Sequence, residues 1–234
     1  MNYSIVIPVH NEEGNLLPLI KEIEEVRATL GGTSEVIFIN DGSTDGSESV
    51  LASIKEQYNG VKVYSFEKNA GQSPALSEGI RRAEGEVIIT MDADLQNDPH
   101  DIPLLLQYYP KYDVVIGKRR RRKDTLKKRI SSYIANAIRN RITNERISDT
   151  GCSLKLFKAE YIKKVKFYNG MHRFLPTLCR IEGATVKEVP VRHRRRIFGK
   201  THYGTKNRAF VALIDAFAVR WMMKRTFTYT LKRD

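Results

Sequence analysis

Four times within its first hundred residues a short β-branched apolar run leads into a polar turn, and after the first three an amphipathic stretch follows. The runs are Tyr3 to Val9, Glu35 to Asn40, Val61 to Phe66 and Glu86 to Thr90. Runs this short, bounded by turn residues, read as buried strands. The stretches between them read as helices. Asn15 to Leu30 carries Leu16, Leu19, Ile20, Ile23 and Val26 on one stripe, and Gly31-Gly32 closes it. A second helix runs to about Tyr58 and a third from Ser73 to Ala83. Strands separated by helices at this spacing pair in parallel through crossovers, with helices on both faces of the sheet. The turns Asn11-Glu12, Asp41-Gly42-Ser43, Asn69-Ala70-Gly71 and Asp92-Ala93-Asp94 then share one rim. Ser43, Thr44 and Asp45 are also ordinary helix caps. Ligands of open α/β sheets bind beyond the carboxyl ends of the strands, so that rim is the candidate site.

The fourth turn has the sharpest chemistry. In Met91-Asp92-Ala93-Asp94-Leu95-Gln96 two carboxylates flank one small residue at the end of a strand. Such a pair offers hard oxygen ligands to Mg2+ or Mn2+, and the cation can grip a diphosphate. Asp98-Pro99 starts a further helix, Asp113 to Gly117 is a fifth strand, and Gly151 to Phe157 and Val186 to Val191 are two more.

Charge divides the 234 residues sharply. Residues 1–116 hold 8 Lys/Arg against 19 Asp/Glu, a net of −11, whereas residues 117–234 hold 32 against 8, a net of +24. An acidic half that holds a cation and a basic half that faces anions fit this split; the anions are phosphates, anionic lipid or nucleic acid. Lys118 to Lys123 is a run of like charge, and Leu126 to Thr143 reads as a basic amphipathic helix. Such a helix either lies in a membrane interface or packs on its own domain. Ala209 to Met223 is apolar but falls short of the ~20 residues that span a bilayer, so no transmembrane helix is expected. Cys152 and Cys179 lack metal-site spacing and read as reduced thiols of a cytosolic protein. Ile5 to Val9 is too short for a signal peptide.

Several motifs coincide with a known family. Pro8-Val9-His10-Asn11-Glu12, Asn40-Asp41-Gly42-Ser43-Thr44-Asp45, Asn69-Ala70-Gly71 and Asp92-Ala93-Asp94-Leu95-Gln96 resemble family 2 inverting glycosyltransferases. Gly117-Lys118-Arg119, His172-Arg173-Phe174-Leu175-Pro176 and Arg196-x-x-Gly199-x-Thr201-x-Tyr203 are similar to the polyprenyl-phosphate branch, typified by dolichyl-phosphate mannose synthase. The resemblance covers about residues 3–208. It implies an α/β nucleotide-diphospho-sugar transferase domain of the GT-A type, with a mostly parallel central sheet flanked by helices. Residues 1–208 form that domain, with a nucleotide and metal half to about 117 and a basic acceptor half from about 118; residues 209–234 are a C-terminal amphipathic helix and tail.

By position, the resemblance implies that Pro8, His10 and Glu12 line the nucleotide pocket and Asp41 holds the base or ribose. Asp92, Asp94 and Gln96 hold Mg2+ or Mn2+, with Ala93 against the nucleotide. Arg119 and Arg129 meet phosphate, Arg173 binds substrate, and Asp149 orients the acceptor or a sugar hydroxyl. Arg196 and Lys200 close over the donor diphosphate. Two positions depart from the pattern: His10 stands where Tyr is common, and His202 where Lys often stands, which moves the weight to Lys200 and Arg196. The implied reaction is inverting, metal-dependent transfer of a hexose from a nucleotide-diphospho-sugar (GDP-mannose or a UDP-hexose) to a polyprenyl phosphate. The enzyme is expected in the cytoplasm, peripheral on the inner face of the membrane, with a separate membrane protein supplying an anchor. The same fold also serves soluble saccharide or protein acceptors. A nucleic-acid-binding reading of Arg119 to Arg122 and Arg192 to Arg196 leaves the Asp-x-Asp and the acidic half unexplained, so no nucleic-acid partner is expected.

Overall fold

β-branched side chains fit a pleated surface covered on both faces, and the apolar runs of the first half all become strands. The computed structural model describes residues 2–120, 136–145, 147–196 and 208–227, with 208–210 by their backbone alone. Strands β1 (Tyr3–Val9), β2 (Ser34–Asn40), β3 (Val61–Ser65) and β4 (Val87–Thr90) alternate with helices α1 (Glu13–Thr29), α2 (Ser47–Gln57) and α3 (Gln72–Arg82). A 3-10 turn, Pro99–Asp101, leads into the short α4 (Ile102–Leu106), and β5 is Val114–Arg119. The helix expected over Leu126 to Thr143 is described only over residues 136–143, here α5. Arg129, Lys200, His202 and the basic run from residue 121 onward lie outside the described residues. Then come β6 (Lys155–Lys158), α6 (Ala159–Ile162), a 3-10 turn at Met171–Phe174, α7 (Leu175–Ile181), β7 (Val186–Val191) and α8 (Arg208–Arg225).

The seven strands form one sheet in the order β3-β2-β1-β4-β6-β5-β7. β1 pairs in parallel with β2 and with β4, placing Val6 beside Ile37 and beside Thr90. β5 and β7 are also parallel. β6 alone is reversed, antiparallel to β4 on one side and β5 on the other. The sheet is therefore mostly parallel, as expected, with one reversed strand at its centre. The reversal brings the start of β6 to the rim where β4 and β5 end.

Alternate side chains feed two cores. Ile5, Ile7 and Phe38 pack with Leu16, Leu19 and Ile23 of α1 and with Leu51 and Ile54 of α2. Val6, Ile37 and Ile39 face Ala75, Leu76 and Ile80 of α3, and this second core continues through Phe157, Phe174 and Leu175. α8 lays Ala216 and Val219 on the second core while Ile214, Phe217 and Trp221 remain exposed. Among the described residues no helix is long and apolar enough to cross a membrane.

Two boundaries differ most from the sequence reading. The strand expected from Gly151 begins only at Lys155, because residues 151–154 cross the rim and bond to it: Thr90 Oγ1 donates to the Ser153 carbonyl at 2.9 Å. The helix expected at Asp98 opens as a 3-10 turn, with the Asp98 carboxylate accepting the His100 N–H at 3.0 Å.

Gly79 lets α3 press onto β1. A Cβ there would lie 2.3 Å from Val6 Cγ1 and 3.2 Å from Ile39 Cγ1. Gly79→Val is expected to destabilise the protein by ~1–3 kcal/mol through overpacking, read as a lower urea midpoint. Gly31→Ala meets nothing within 4 Å and serves as the control that leaves the midpoint unchanged or higher.

Candidate active site

The strand ends that share the rim also share a cleft of about 270 Å3. Pro8, Val9, His10 and Glu12 come from the end of β1, Asp41 from the end of β2, Asn69 and Gly71 from the turn before α3, Gln72 from its first position, and Asp92, Ala93 and Asp94 from the turn after β4. Arg196, beyond β7, completes the wall. Eight residues singled out from the sequence (Pro8, His10, Glu12, Asp41, Asp92, Ala93, Asp94 and Arg196) are thus brought together.

The turns are tied to one another before any ligand is considered. The Asp41 carboxylate accepts the N–H groups of Ala70 at 2.7 Å and Gly71 at 2.9 Å, and the Asn69 amide at 3.0 Å. Gly42 has φ +57, and a Cβ on it would lie 2.4 Å from Asn69 N, so only glycine lets the two turns meet so closely. Ser43 joins the second turn to the first, and Asp45 does so as well while its Oδ1 accepts the Ser47 N–H at the start of α2 at 3.0 Å. Ser43 Oγ accepts the Asn11 N–H at 3.0 Å, and Asp45 Oδ2 accepts the Glu13 N–H at 3.2 Å. The His10 ring is fixed as a wall, its Nδ1 2.8 Å from the Asp41 carbonyl and donating to it.

Three carboxylates then face one guanidinium. Arg196 Nη2 donates to Asp94 Oδ2 at 2.7 Å, and Arg196 Nη1 lies 4.0 Å from Glu12 Oε1. The other oxygen of buried Asp94 accepts the Gln96 N–H at 3.1 Å. Asp92 Oδ1 accepts from Gln72 Nε2 at 2.8 Å. Burial, then the charge of Asp94, pushes the Asp92 carboxyl up to about 6. Burial also raises the Glu12 carboxyl, with Asp94 and Asp92 adding to the rise and Arg196 opposing it. A buried carboxyl held back from ionising, one residue from a second carboxylate, makes a donor pair that a divalent cation relieves, so Asp92 and Asp94 fit Mg2+ or Mn2+. Gln96 does not line the cleft; it meets Asp94 through its backbone, and its carbonyl accepts the Arg194 N–H at 2.9 Å.

Arg119 and Asp149 are brought together with each other rather than into the cleft wall. Arg119 donates from Nε at 2.8 Å and from Nη2 at 2.7 Å to the two Asp149 oxygens, and its backbone N–H adds a third bond at 3.1 Å. Arg173 lies in the 3-10 turn before α7, and its charge offsets the burial that raises the carboxyl of Asp215 on α8. That turn is tied to α3 by Ser73 Oγ and His172 Nδ1, 2.8 Å apart.

Residues that sequence reasoning passed over hold the site in place. Ser153 Oγ receives the Asp92 N–H at 3.1 Å and the Asn97 amide at 2.6 Å. Arg194 reaches both Glu22 oxygens, at 2.7 and 2.8 Å, and lies 2.8 Å from Asp98 Oδ1. Arg192 bonds Asp101 at 2.9 Å. The signal for this was the alternation Arg192-x-Arg194-x-Arg196, which puts three arginines on one side of an extended segment. Glu22, Asp98 and His100 have ligand atoms within 4.8 Å of one another. Arg194 already sits on two of them, so this group is an ion-pair knot, separate from Asp92 and Asp94. Both cysteines are buried, and burial raises both thiols, Cys152 to about 11.

Comparison with known proteins follows the same outline. Residues 4–166 match the family model of Glycosyl transferase family 2. The dodecaprenyl-phosphate galacturonate synthase of Rhizobium johnstonii is 34% identical over 230 residues, covering 96% of this chain and 68% of that protein. An undecaprenyl-phosphate 4-deoxy-4-formamido-L-arabinose transferase of Klebsiella pneumoniae is 34% identical over 214 residues, covering 91% of this chain and 64% of that one. The chain thus spans about two thirds of the length of these relatives. The glucosyl-3-phosphoglycerate synthase of Mycobacterium tuberculosis, solved with Mn2+, UDP and phosphoglyceric acid, shares the fold at a TM-score of 0.63 and 20% identity, over 84% of this chain and 72% of that one. S. aureus TarS 1-349, solved with UDP, gives 0.61 at 16% identity, over 94% and 65%.

The raised Asp92 carboxyl links stability to pH. Its ordinary value is 3.8 and its folded value about 6. Between the two, the folded chain keeps a proton that the unfolded chain has released, so stability in metal-free buffer falls as pH rises through this window and stays reduced above it. Asp92→Asn is therefore expected to melt a few degrees higher than wild type in EDTA at neutral pH, ~1 kcal/mol being worth about 2–4 °C at this chain length. The difference should vanish near the lower end of the window. A wild type that melts higher than Asp92→Asn at neutral pH would show that the carboxylate cluster is not strained.

Proposed function

The chain belongs to glycosyl transferase family 2, and from that premise we propose that it transfers a hexose from a nucleotide-diphospho-sugar to a polyprenyl phosphate, with inversion, at the cytoplasmic face of a membrane. The observation that carries the donor half is the cleft in which Glu12, Asp92 and Asp94 face Arg196. The acceptor half is supported by the named acceptors of the relatives, which are dodecaprenyl and undecaprenyl phosphates.

In this reading the nucleotide lies along Pro8, His10, Asp41 and Ala93, with its diphosphate between Asp92, Asp94 and Arg196. Mg2+ or Mn2+ held by Asp92 and Asp94 supplies Lewis-acid stabilisation of the departing nucleoside diphosphate. Arg196 adds a bidentate cation to the same oxygens, and Lys200 a second charge. The acceptor phosphate attacks the anomeric carbon from the opposite face. With a second pKa near ~6 it is already largely a dianion at neutral pH, so it requires positioning more than a general base. Arg119 supplies that positioning, with Arg129 and Arg173 as further cations. Asp149 serves by aiming Arg119, since both its oxygens accept from that guanidinium.

A lipid acceptor requires the enzyme to reach a bilayer. The surplus of Lys and Arg after residue 117 suits an anionic surface, each charge near it being worth ~1 kcal/mol. The exposed Ile214, Phe217 and Trp221 of α8, close to Lys224 and Arg225, suit its interfacial layer.

The test is a transfer assay with a panel of GDP- and UDP-hexoses, Mn2+ or Mg2+, and a prenyl phosphate, with label counted in the organic phase. Organic-phase label that needs the divalent cation is the expected result. Asp94→Ala should lower it by about a hundredfold or more, the scale of losing one electrostatic group aimed at developing charge, with little change in Tm. Full activity in that variant would remove the metal from the mechanism. Label appearing only on a soluble saccharide would replace the lipid acceptor.

A further inference from the structure

We propose that Lys155 is a further substrate-contacting residue, whose ammonium receives the acceptor phosphate at the seam between the donor cleft and Arg119; the assignment rests on the transferase reading above. β6 runs antiparallel between β4 and β5, and Lys155 is its first residue. Its register partners are Thr90 on one side and Ile116 on the other. Asp92 follows Thr90 by two residues, and Arg119 follows Ile116 by three. Lys155 therefore stands on the rim between the carboxylates assigned to the donor and the guanidinium assigned to the acceptor.

An ordinary structural role does not account for a lysine here. Lys155 is only 6% exposed, and its neighbours Leu154, Leu156 and Phe157 are fully buried apolar residues. Lysine is almost never buried to this degree unless paired. Among the described residues its ammonium donates no hydrogen bond and enters no ion pair within 4.0 Å. Burial lowers its pKa, while Asp92 and Asp149 act through space in favour of its charge and Arg119 against it. A fold that needed only to complete β6 would gain by an apolar side chain at this position.

A phosphate supplies what the position lacks. An ammonium is a compact point charge with three donors, and a phosphate dianion offers three acceptor oxygens. Arg119 has two of its side-chain nitrogens engaged by Asp149, so a dianion arriving beside it calls for a second cation. A cation between the incoming phosphate and the departing diphosphate also lessens the repulsion between two anions converging on one carbon.

The experiment uses the full chain and a short, water-soluble prenyl phosphate, citronellyl phosphate, with citronellol as the uncharged control. In Lys155→Met the side chain keeps its unbranched shape, is one atom shorter and loses its charge, so Tm is expected to hold or rise. The Kd for citronellyl phosphate should rise about tenfold or more, as for loss of a charge-assisted hydrogen bond. Citronellol binding should not respond, and binding of a nucleoside diphosphate with Mn2+ should be unaltered. Equal affinity of wild type and Lys155→Met for citronellyl phosphate overturns the assignment while leaving the transferase reading in place. A wild type that catalyses transfer to another acceptor and ignores citronellyl phosphate overturns the lipid-phosphate reading and the assignment together. Should Lys155→Met fail to fold, Lys155→Gln takes its place with the same outcomes.

Discussion

The burial of Glu12, Asp92 and Asp94 together in one cleft is the constraint around which the rim is arranged. Carboxylates converging in a partly buried cleft cannot all ionise freely unless positive charge is brought to them. The parallel strands deliver the carboxylates automatically, because each strand end and its turn point to the same rim. The positive charge comes from the far end of the sequence, where Arg196 meets Asp94 at 2.7 Å. A protein that only had to be stable would not maintain such a cluster. One that had to seat a cation and a diphosphate would gain from it, since charges that repel each other would attract a metal ion.

The charge asymmetry of the sequence becomes intelligible in these terms. The acidic first half and the basic second half are not two separate surfaces. They meet along the segment after β7, where Arg192 bonds Asp101, Arg194 bonds Glu22 and Asp98, and Arg196 bonds Asp94. The first two pairs fix the backbone that carries the third. Reversed β6 performs the matching task on the other side of the cleft. It draws residues 151–154 across the rim, where Ser153 holds the Asp92 backbone, and it sets Lys155 between β4 and β5. The carboxylate cleft at the end of β4 and Arg119 at the end of β5 are thereby held on either side of β6.

Much of this was legible in the sequence because it is local. Period-2 and period-3.6 patterns identify strands and helices without tertiary information, and the strand-turn-helix repeat fixes which ends share a rim. Asp92 and Asp94 were legible as a candidate ligand pair because their turn shares a rim with three earlier polar turns and is followed by a basic half. The reversal of β6 was not, since a strand such as Lys-Leu-Phe-Lys reads alike in either direction. The late start of that strand was missed because Cys152 to Leu154 are as compatible with a strand as the residues after them. Long-range partners were also invisible: Arg194 and Glu22 lie 172 positions apart. The motif resemblance named Asp41 for the nucleotide; Asp41 does line the cleft, and its carboxylate also clasps the turn at Asn69 to Gly71. A backbone-binding role of that kind leaves no trace in residue spacing.

The central claim is that the carboxylate cleft is built for a divalent cation shared with a diphosphate. Calorimetric titration of Mn2+ into the protein, with and without a nucleoside diphosphate, tests it most directly. The expected result is one ion bound per chain, with affinity that rises when the nucleoside diphosphate is present, and nucleotide affinity that rises equally with the metal, as linkage requires. Nucleotide binding indifferent to Mn2+, or heats no larger than those of scattered surface carboxylates, would contradict it.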